Sequence, residues 1–333
     1  MTCDNRRTSG TDRPLVWVGV DVGKATHHAC VMDPAGTVVF SQKLANDQAA
    51  IGQQVVYVPG RVVNRMTGVF RGEAKSDAKD ARVIAETARM RTDLTPVAAT
   101  DDLVIELTRL TAHREDLMAD WVRGVNRLRD LLTGIFPALE RAFDYSTRSA
   151  LVLVTGLRLP GEQTTAALIA RLARHLLDLD RQIKDTDKLI TSRFREHPQA
   201  EIIDSLPGLG PILGAEFLVA TGGDLATFVT SGRLASYAGL VPVPQDSGRG
   251  TGNLRRPKRY NRRLRRVFSM AALSSIKANG PSRVFYDKKR SERLVHTRAL
   301  LALARRLVDV LWALLRDRRK FTPTAPQPAT AAA

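Results

Sequence analysis

Two long stretches of the chain carry apolar residues at the spacing of a helical seam. In the first stretch they recur three, four or seven residues apart, and Arg114 and Gly124 occupy the seam positions left vacant. This spacing is typical of helices that pack along their whole length. It predicts an antiparallel coiled-coil arm over residues 97–200, with 136–165 near its tip. The first seam comprises Leu103, Leu107, Leu110, Leu117, Trp121, Leu128, Leu131 and Ile135, and the second Leu172, Leu176, Leu179, Ile183, Ile190 and Phe194.

The residues before the arm favour a small α/β domain over 14–96, after a disordered segment over 1–13. "LVWVGVDVG", "HHACVMD" and "TVVFSQKL" predict three consecutive antiparallel strands, the last two joined by the turn "PAG". "QQVVYV", residues 53–58, predicts a further buried strand. A helix follows, with Ser76 as its N-cap. Its predicted apolar face consists of Ala81, Ile84, Ala85 and Ala88.

The residues after the arm favour a helical domain over 201–320 and a disordered, low-complexity tail over 321–333. "SLPGLGPILGAEFLVATGG" places Gly208 and Gly210 in a tight turn before an apolar helix. This arrangement resembles a helix–hairpin–helix, whose exposed backbone N–H groups hold phosphate. A helix–turn–helix packing unit explains the same pattern equally well. A short helix, a loop rich in glycine and arginine, and two more helices are expected next.

The chain carries a net charge of +17, and the excess lies in one segment. From Arg249 to Lys320 there are 22 Lys or Arg residues and four acids. Such a surface favours a polyanionic partner, nucleic acid first, because the basic residues flank glycines and do not line an amphipathic face as membrane binding requires. Tyr260 lies among them and either stacks on a base or packs. The candidate nucleic-acid ligands are Arg249, Arg255, Arg256, Lys258, Arg259, Arg262, Arg263, Arg265 and Arg266.

Cysteine content and hydropathy exclude several classes of protein. Cys3 and Cys30 are the only cysteines, which excludes a disulfide framework and a thiolate zinc site. No apolar run reaches eighteen residues, and the N-terminus lacks the apolar core of a signal peptide. We therefore expect a cytoplasmic protein without a membrane partner.

Three carboxylates are candidate metal ligands. Asp21 ends the first predicted strand, and Asp77 and Asp80 lie one helical turn apart. Carboxylates so placed can hold Mg²⁺, which prefers oxygen ligands and binds substrate phosphates. The alternative is structural, since acids in a first helical turn are favoured by the helix dipole and a strand-end aspartate often caps a turn.

Ser247 is a candidate nucleophile. It lies in the loop "PQDSGRGTGNLRRPKRYNRRLRR", between an aspartate and a glycine and close to many arginines. A serine that attacks phosphorus needs a proton acceptor and positive groups around the transition state, and arginine forks suit phosphate oxygens. A serine in a glycine-rich loop is by itself weak evidence for catalysis.

Four blocks of sequence, in order, resemble one family. "VGVDVGKATHHACVMDPAG", "GEAKSDAKDARVIAETAR", "LPGLGPILGAEFLVATGG" and "LASYAGLVPVPQDSG" are similar to the hallmark blocks of the DEDD-type insertion-sequence transposases, serine recombinases guided by a bridge RNA. The resemblance runs from about residue 15 to 320. It implies an RNase H-like N-terminal domain with a mixed sheet, related to Holliday-junction resolvases, and a coiled coil leading to a serine-bearing domain.

The resemblance also implies roles for individual residues. Asp21, Asp77 and Asp80 match three of the four metal-binding acids, with Mg²⁺ as the expected cofactor, and Ser247 matches the nucleophile. DNA and a bridge RNA are the implied partners. The family further implies a homo-oligomer, a dimer or tetramer, in which the metal domain of one subunit meets the serine domain of another.

The chain departs from the family in one place. The family's fourth acid is a glutamate in a segment before the "VVYVPG" strand, but here "SQKLANDQAAIGQQVVYVPG" passes directly from the third strand into that one. We therefore expect an internal deletion, with Glu73 as the only nearby substitute. Two rival functions follow: a nucleic-acid-binding remnant without catalysis, or a resolvase-like metal nuclease in which Ser247 only caps a loop.

Overall fold

The computed structural model describes residues 16–22, 26–45, 58, 63, 66, 76–91, 101–158, 160–223, 225, 228–244 and 252–323. The chain divides into two compact units, residues 1–99 and 100–333. Each unit has its own apolar core.

The first unit contains a three-stranded antiparallel sheet in the order β1-β2-β3, as predicted. Gly19 of β1 pairs with Cys30 of β2, which pairs with Ser41 of β3. Each strand pair in the described part of this unit is antiparallel, and of the strand predicted over 53–58 only Val58 is described. The mixed, RNase H-like sheet therefore stays a prediction. The strands are β1 (Trp17–Val22), β2 (Thr26–Met32) and β3 (Val38–Ala45).

One helix, α1 (Asp77–Met90), packs on this sheet. Ser76 caps it as predicted, because its Oγ accepts a hydrogen bond from the Lys79 backbone N–H at 3.3 Å. The approach is close, since a Cβ on Gly19 would lie 2.1 Å from the Ala81 carbonyl oxygen. Helix and sheet enclose Cys30, Met32, Ala81 and Ala85, whereas the predicted face residues Ile84 and Ala88 are only half-buried.

The second unit is built around two antiparallel helices of 34 residues each, α2 (Asp102–Ile135) and α5 (Gln163–Glu196). Contacts along the pair fix their direction, because the residue number rises on one helix as it falls on the other. They join Glu106 to Arg193, Arg114 to Asp187, and Gly124 to Leu176. The antiparallel pairing is as predicted, whereas the supercoil of a coiled coil stays a prediction.

The two polar or empty seam positions each have a structural explanation. Arg114 forms an ion pair with Asp187 across the seam. Gly124 is buried against Leu176, whose Cδ2 would lie 2.6 Å from a Cβ at this position. The two helices therefore approach closely where Gly124 faces Leu176, and an ion pair joins them at Arg114.

Buried apolar residues close both ends of the arm. At the tip, Tyr145 is buried and its hydroxyl donates to the Leu139 carbonyl at 2.7 Å. At the base, Leu107, Ile190 and Phe194 join the core of the C-terminal helices. The tip helices are α3 (Pro137–Ala142) and α4 (Arg148–Thr155).

The C-terminal helices pack around the last helix, α11 (His296–Arg316). Its buried face supplies much of the core. Ordered chain extends past the predicted domain end, because the Phe321 backbone N–H donates to Ser205 Oγ at 2.9 Å. No helix in the described ranges is both long enough and apolar enough to cross a membrane. The elements are α6 (Ala200–Ser205), α7 (Pro211–Thr221), α8 (Ser231–Tyr237), β4 (Val243–Pro244), β5 (Leu254–Arg255), α9 (Arg262–Ser275), α10 (Pro281–Ser291) and α11 (His296–Arg316).

Two glycines of α2 provide a matched test of the arm. Gly124→Val is expected to lower the free energy of unfolding by about 1–3 kcal/mol, since the added atoms collide with buried Leu176. Gly134→Val, where a Cβ meets nothing within 4 Å, is expected to change it by less than about 0.5 kcal/mol. Urea unfolding followed by circular dichroism measures both, and equal losses at the two positions would contradict the close approach.

Candidate nucleic-acid interface

The loop that carries Ser247 begins and ends on a two-stranded ribbon. In this ribbon Val243 of β4 pairs with Arg255 of β5, and Pro244 pairs with Leu254. Ser247 and Arg249 lie outside the described residues. The ribbon nevertheless fixes both ends of the predicted loop, and Arg255 belongs to its stem.

Four of the predicted cations are exposed beside this ribbon. Arg255, Lys258, Arg259 and Arg262 have exposed side chains. No side-chain hydrogen bond or ion pair ties them to any other described residue. We call these four residues the loop cations. Guanidinium and ammonium groups left in water in this way are accessible to phosphate oxygens.

Arg256 and Arg265 instead enclose Tyr260. Arg256 Nη2 donates to Tyr260 Oη at 2.8 Å, and the Arg265 guanidinium lies 5.0 Å from the ring centre. Arg265 Nη1 also donates to the Gly239 carbonyl at 2.8 Å. The ring packs so closely on Gly239, at φ 69°, that a Cβ there would lie 2.4 Å from Tyr260 Cγ. The hydrogen bond from Arg256 lowers the pKa of the Tyr260 phenol. These contacts favour packing over base stacking for Tyr260.

Arg263 and Arg266 join three helices. Arg263 Nη2 donates to Glu115 Oε2 of α2 at 2.8 Å, and Arg266 Nη2 donates to Glu216 Oε1 of α7 at 2.6 Å. Arg266 also reaches Glu115 Oε1 at 3.2 Å. The structure therefore places these two predicted nucleic-acid ligands, like Arg265, in contacts within the protein, and this favours a structural role for them.

Glu216 is the residue on which these contacts converge. It is only 2% exposed, and its Oε2 is buried without a hydrogen-bond partner among the described residues. Burial raises the pKa of Glu216, and the positive charge of Arg266 opposes that shift. Glu216 is not among the residues predicted from the sequence. The available signal was a lone acid inside the apolar helix "PILGAEFLVAT".

Gly208 and Gly210 have different surroundings. Gly208 adopts φ 86°, and a Cβ on it would lie 2.2 Å from the Ala271 carbonyl oxygen of α9. This contact favours the packing alternative for Gly208. Gly210 caps α7, and a Cβ on it would meet nothing within 4 Å, so its predicted phosphate contact stays a prediction.

The predicted carboxylate site lies in the first unit, at the end of the sheet where α1 begins. Helix α1 runs opposite to β1, because Arg89 near its C-terminus donates to the Pro34 carbonyl at 3.3 Å, just after the strand paired with the start of β1. Gly19 faces the middle of α1. Asp21, two residues further along the same face of β1, therefore comes to the N-terminal end of the helix.

Asp77 and Asp80 occupy the first turn of α1, as predicted. Asp77 is exposed, whereas Asp80 and Asp21 are half-buried. Within the described ranges, no three His, Cys, Asp or Glu side chains lie close enough to hold one metal ion. The fold thus brings the three acids to one end of the domain without bringing their side chains to a single point. Glu73 lies outside the described residues.

Comparison with known proteins finds one group. Residues 18–53 and 48–137 match the family DEDD_Tnp_IS110, described as a transposase, and residues 200–287 match the "Transposase IS116/IS110/IS902 family". The chain is 47% identical over 398 residues to "Insertion element IS116 uncharacterized 44.8 kDa protein" of Streptomyces clavuligerus, covering 96% of this chain and 100% of the relative. An IS900 protein of Mycobacterium paratuberculosis is 42% identical over 388 residues, covering 92% and 97%. "Transposase for insertion sequence element IS1111A" of Coxiella burnetii is 24% identical over 338 residues, covering 93% and 92%.

The two glycines of the α6–α7 turn differ in their expected effect on stability. Gly208→Ala is expected to lower the free energy of unfolding by more than about 2 kcal/mol, since it adds left-handed strain to a collision with the α9 backbone. Gly210→Ala has room and ordinary backbone angles, so a change below about 0.5 kcal/mol is expected. Thermal melts of the two variants decide, and a stable Gly208→Ala protein would refute the packing role.

An experiment can separate the loop cations from the arginines that have hydrogen bonds within the protein. Replacing the loop cations by glutamine is expected to weaken binding to unrelated duplex DNA and to flatten the dependence of log K on log salt by about 0.9 per lost phosphate contact. The melting temperature is expected to stay the same.

The matched control replaces Arg256, Arg263, Arg265 and Arg266 by glutamine and so removes the same charge. Here the melting temperature is expected to fall, because the buried Glu216 loses its ion-pair partner Arg266, while the salt dependence changes little. A larger change of salt slope in this control than in the first variant would reverse the assignment.

Proposed function

Since the chain belongs to the IS116/IS110/IS902 family of transposases, we propose that it cuts and rejoins the DNA strands of an insertion sequence through a phosphodiester to Ser247. Membership of this family implies DNA binding and DNA strand cleavage and rejoining. The serine intermediate goes further and is supported by the β4–β5 ribbon, because the loop that carries Ser247 ends on the strand of Arg255 and the other loop cations follow that strand within seven residues.

The length of the chain between β4 and Ser247 limits how far the serine can lie from the ribbon. Ser247 follows Pro244 by three residues, so its Cα lies within about 11 Å of the Cα of Pro244 at the end of β4. Arg255, opposite Val243 in the same ribbon, lies at the base of the loop. We therefore propose that a DNA phosphate held by Arg255 meets the serine at this end of the ribbon.

The chemical step assigns each group a role. Ser247 Oγ attacks phosphorus and loses its proton, a P–O bond of the strand breaks, and the departing DNA oxygen takes up a proton. The loop cations offset the negative charge that develops on the phosphate oxygens. Religation reverses the step with a different strand end, so the exchange needs no outside energy source.

Asp21, Asp77 and Asp80 are the proposed Mg²⁺ ligands. A family named for its acidic residues suggests a divalent metal, and the three carboxylates are of the donor type that Mg²⁺ prefers, although a shift of their side chains is needed to bring them to one ion. When bound, the ion supplies Lewis-acid polarisation of a phosphate oxygen. The part played by the chain itself is to keep Asp77 and Asp80 on the first turn of α1, opposite the strand that carries Asp21.

An internal deletion is proposed between β3 and α1. The alignment with the IS116 relative is 398 residues long, whereas 96% of the 333 residues here is about 320, so roughly 78 aligned positions have no residue in this chain. The match to the first family also breaks into two pieces that overlap at 48–53. Both observations support loss of the segment expected to carry the fourth acid.

The deletion makes a second function a real candidate. A chain that binds nucleic acid through the loop cations but does not cleave DNA is favoured by the missing residues, which include the segment expected to carry the fourth acid. A resolvase-like nuclease that uses the metal site alone is the remaining alternative. A guiding bridge RNA and assembly as a dimer or tetramer are also proposed, and both rest on the family resemblance.

The experiment that separates these functions is a covalent-adduct assay. The protein would be mixed with Mg²⁺, the element's flanking non-coding RNA and labelled DNA that spans the element junction. We expect a protein–DNA band that resists SDS in the unaltered chain and is lost in Ser247→Ala and Asp77→Asn. Ser149→Ala and Asp116→Asn, which alter exposed residues of the same types that are not part of the proposed site, should retain it.

Each alternative has its own outcome. Cleavage that survives Ser247→Ala without any adduct identifies a metal nuclease. Binding of DNA and RNA without cleavage in any variant identifies a remnant. An adduct that persists in Ser247→Ala would refute the assignment of the nucleophile.

A further inference from the structure

A second group of cations lies on the hairpin formed by α10 and α11, in a region that the Ser247 loop does not explain. Residues 252–323 contain only four acids, and each is ion-paired with a cation of the same segment. These four acids are too few for the cations of the segment, and only some of the remaining cations, such as Arg263, Arg266 and Lys320, pair with acids elsewhere in the chain. The pairs are Arg283 with Asp287, Lys289 with Glu292, Arg305 with Asp309, and Arg316 with Asp317.

Three of the remaining cations surround the connection between the two helices. Lys288 lies in the last turn of α10, Arg293 in the connection, and Arg298 in the first turn of α11. All three side chains are exposed, and none has a hydrogen bond or ion pair to the rest of the described chain. We call these three residues the hairpin cations.

The connection that presents them is well fixed. Arg290 Nη1 donates to the Leu294 carbonyl at 2.7 Å, and Lys289 forms an ion pair with Glu292 at 2.7 Å. The hydroxyl of Tyr286 and Nδ1 of His296 form a hydrogen bond of 2.7 Å that joins the two helices. A surface whose backbone is already ordered loses less conformational entropy on binding.

We propose that the hairpin cations bind the phosphate backbone of nucleic acid, as a contact separate from the loop cations. The inference rests on nucleic acid being the substrate in the proposed function, but not on the chemistry of Ser247. Three charges around one turn match repeated phosphates, which give affinity and register without reading bases. The apolar face of α11 is enclosed in the core of the unit, so this helix does not offer that face to a membrane.

The test measures binding without requiring catalysis. In a Ser247→Ala background, Lys288→Gln, Arg293→Asn and Arg298→Gln are combined; asparagine is chosen because Arg293 has φ 67°. Binding to a duplex DNA of unrelated sequence and to an RNA stem-loop is followed by fluorescence anisotropy over a series of salt concentrations. The matched control replaces Arg141, Arg158 and Arg171, three exposed cations of the arm, by glutamine.

We expect the hairpin variant to bind more than tenfold more weakly at 0.1 M salt, with a slope on duplex DNA lower by about 0.9 for each lost contact. The arm control should bind as the background does. A loss on DNA alone identifies DNA as the source of the phosphates, and a loss on RNA alone identifies RNA. If the triple variant melts early, Arg298→Gln alone carries the test.

An unchanged slope on both nucleic acids overturns the proposal, as does an equal loss in the arm control, which would reduce the effect to net charge. A background protein that binds neither DNA nor RNA overturns both this inference and the proposed function. If nucleic acid binds through the hairpin cations but the chain with its native Ser247 forms no covalent adduct, only the serine chemistry is refuted.

Discussion

The packing of the helices in the second unit depends on an ion pair between a buried carboxylate and an arginine. Glu216 lies 2% exposed in an otherwise apolar helix, where an unpaired charge would be costly. Arg266 reaches it from α9 at 2.6 Å and also contacts Glu115 of α2. Three helices from distant parts of the chain thereby meet at one point. A different register of α9 on α7 would leave the carboxylate without a partner, so the contact selects one packing of these helices.

The arginines of the basic segment accordingly fall into two groups. Arg263 and Arg266 form ion pairs with acids that lie 50 to 151 positions away in sequence, and Arg265 contacts both Tyr260 and Gly239. The loop cations and the hairpin cations remain in water. The arginines with partners inside the protein orient α9. Because Arg262 is the first residue of that helix, the same contacts also fix the position of this loop cation.

Local patterns predicted the elements well, and distant contacts could not be predicted. The three strands, the Ser76 cap, the paired long helices and the vacant seam position at Gly124 all follow from spacing and side-chain size. The assignment of Arg263 and Arg266 did not, because composition counts charges without showing which acids the fold will bring to them. Glu216 was detectable as an acid in an apolar helix, but its partner was not.

The candidate site was predictable to a similar extent. Sequence placed Asp77 and Asp80 on one helical turn and Asp21 at a strand end, and the fold brings all three to the same end of the sheet. How far their side chains converge depends on the packing of neighbouring elements, which a motif does not contain. Gly208 illustrates the same limit, since its glycine is explained by the backbone of α9 and by no residue near it in sequence.

The two cores at the ends of the arm give it a mechanical property. Helices of 34 residues extend about 50 Å, and isolated helix ends fray. Here Tyr145 and its neighbours close the outer end, while Phe194 and Leu107 anchor the inner end in the unit that holds α9. We therefore expect the arm to be stiff along its length, so that its tip keeps a fixed direction relative to the helices at its base.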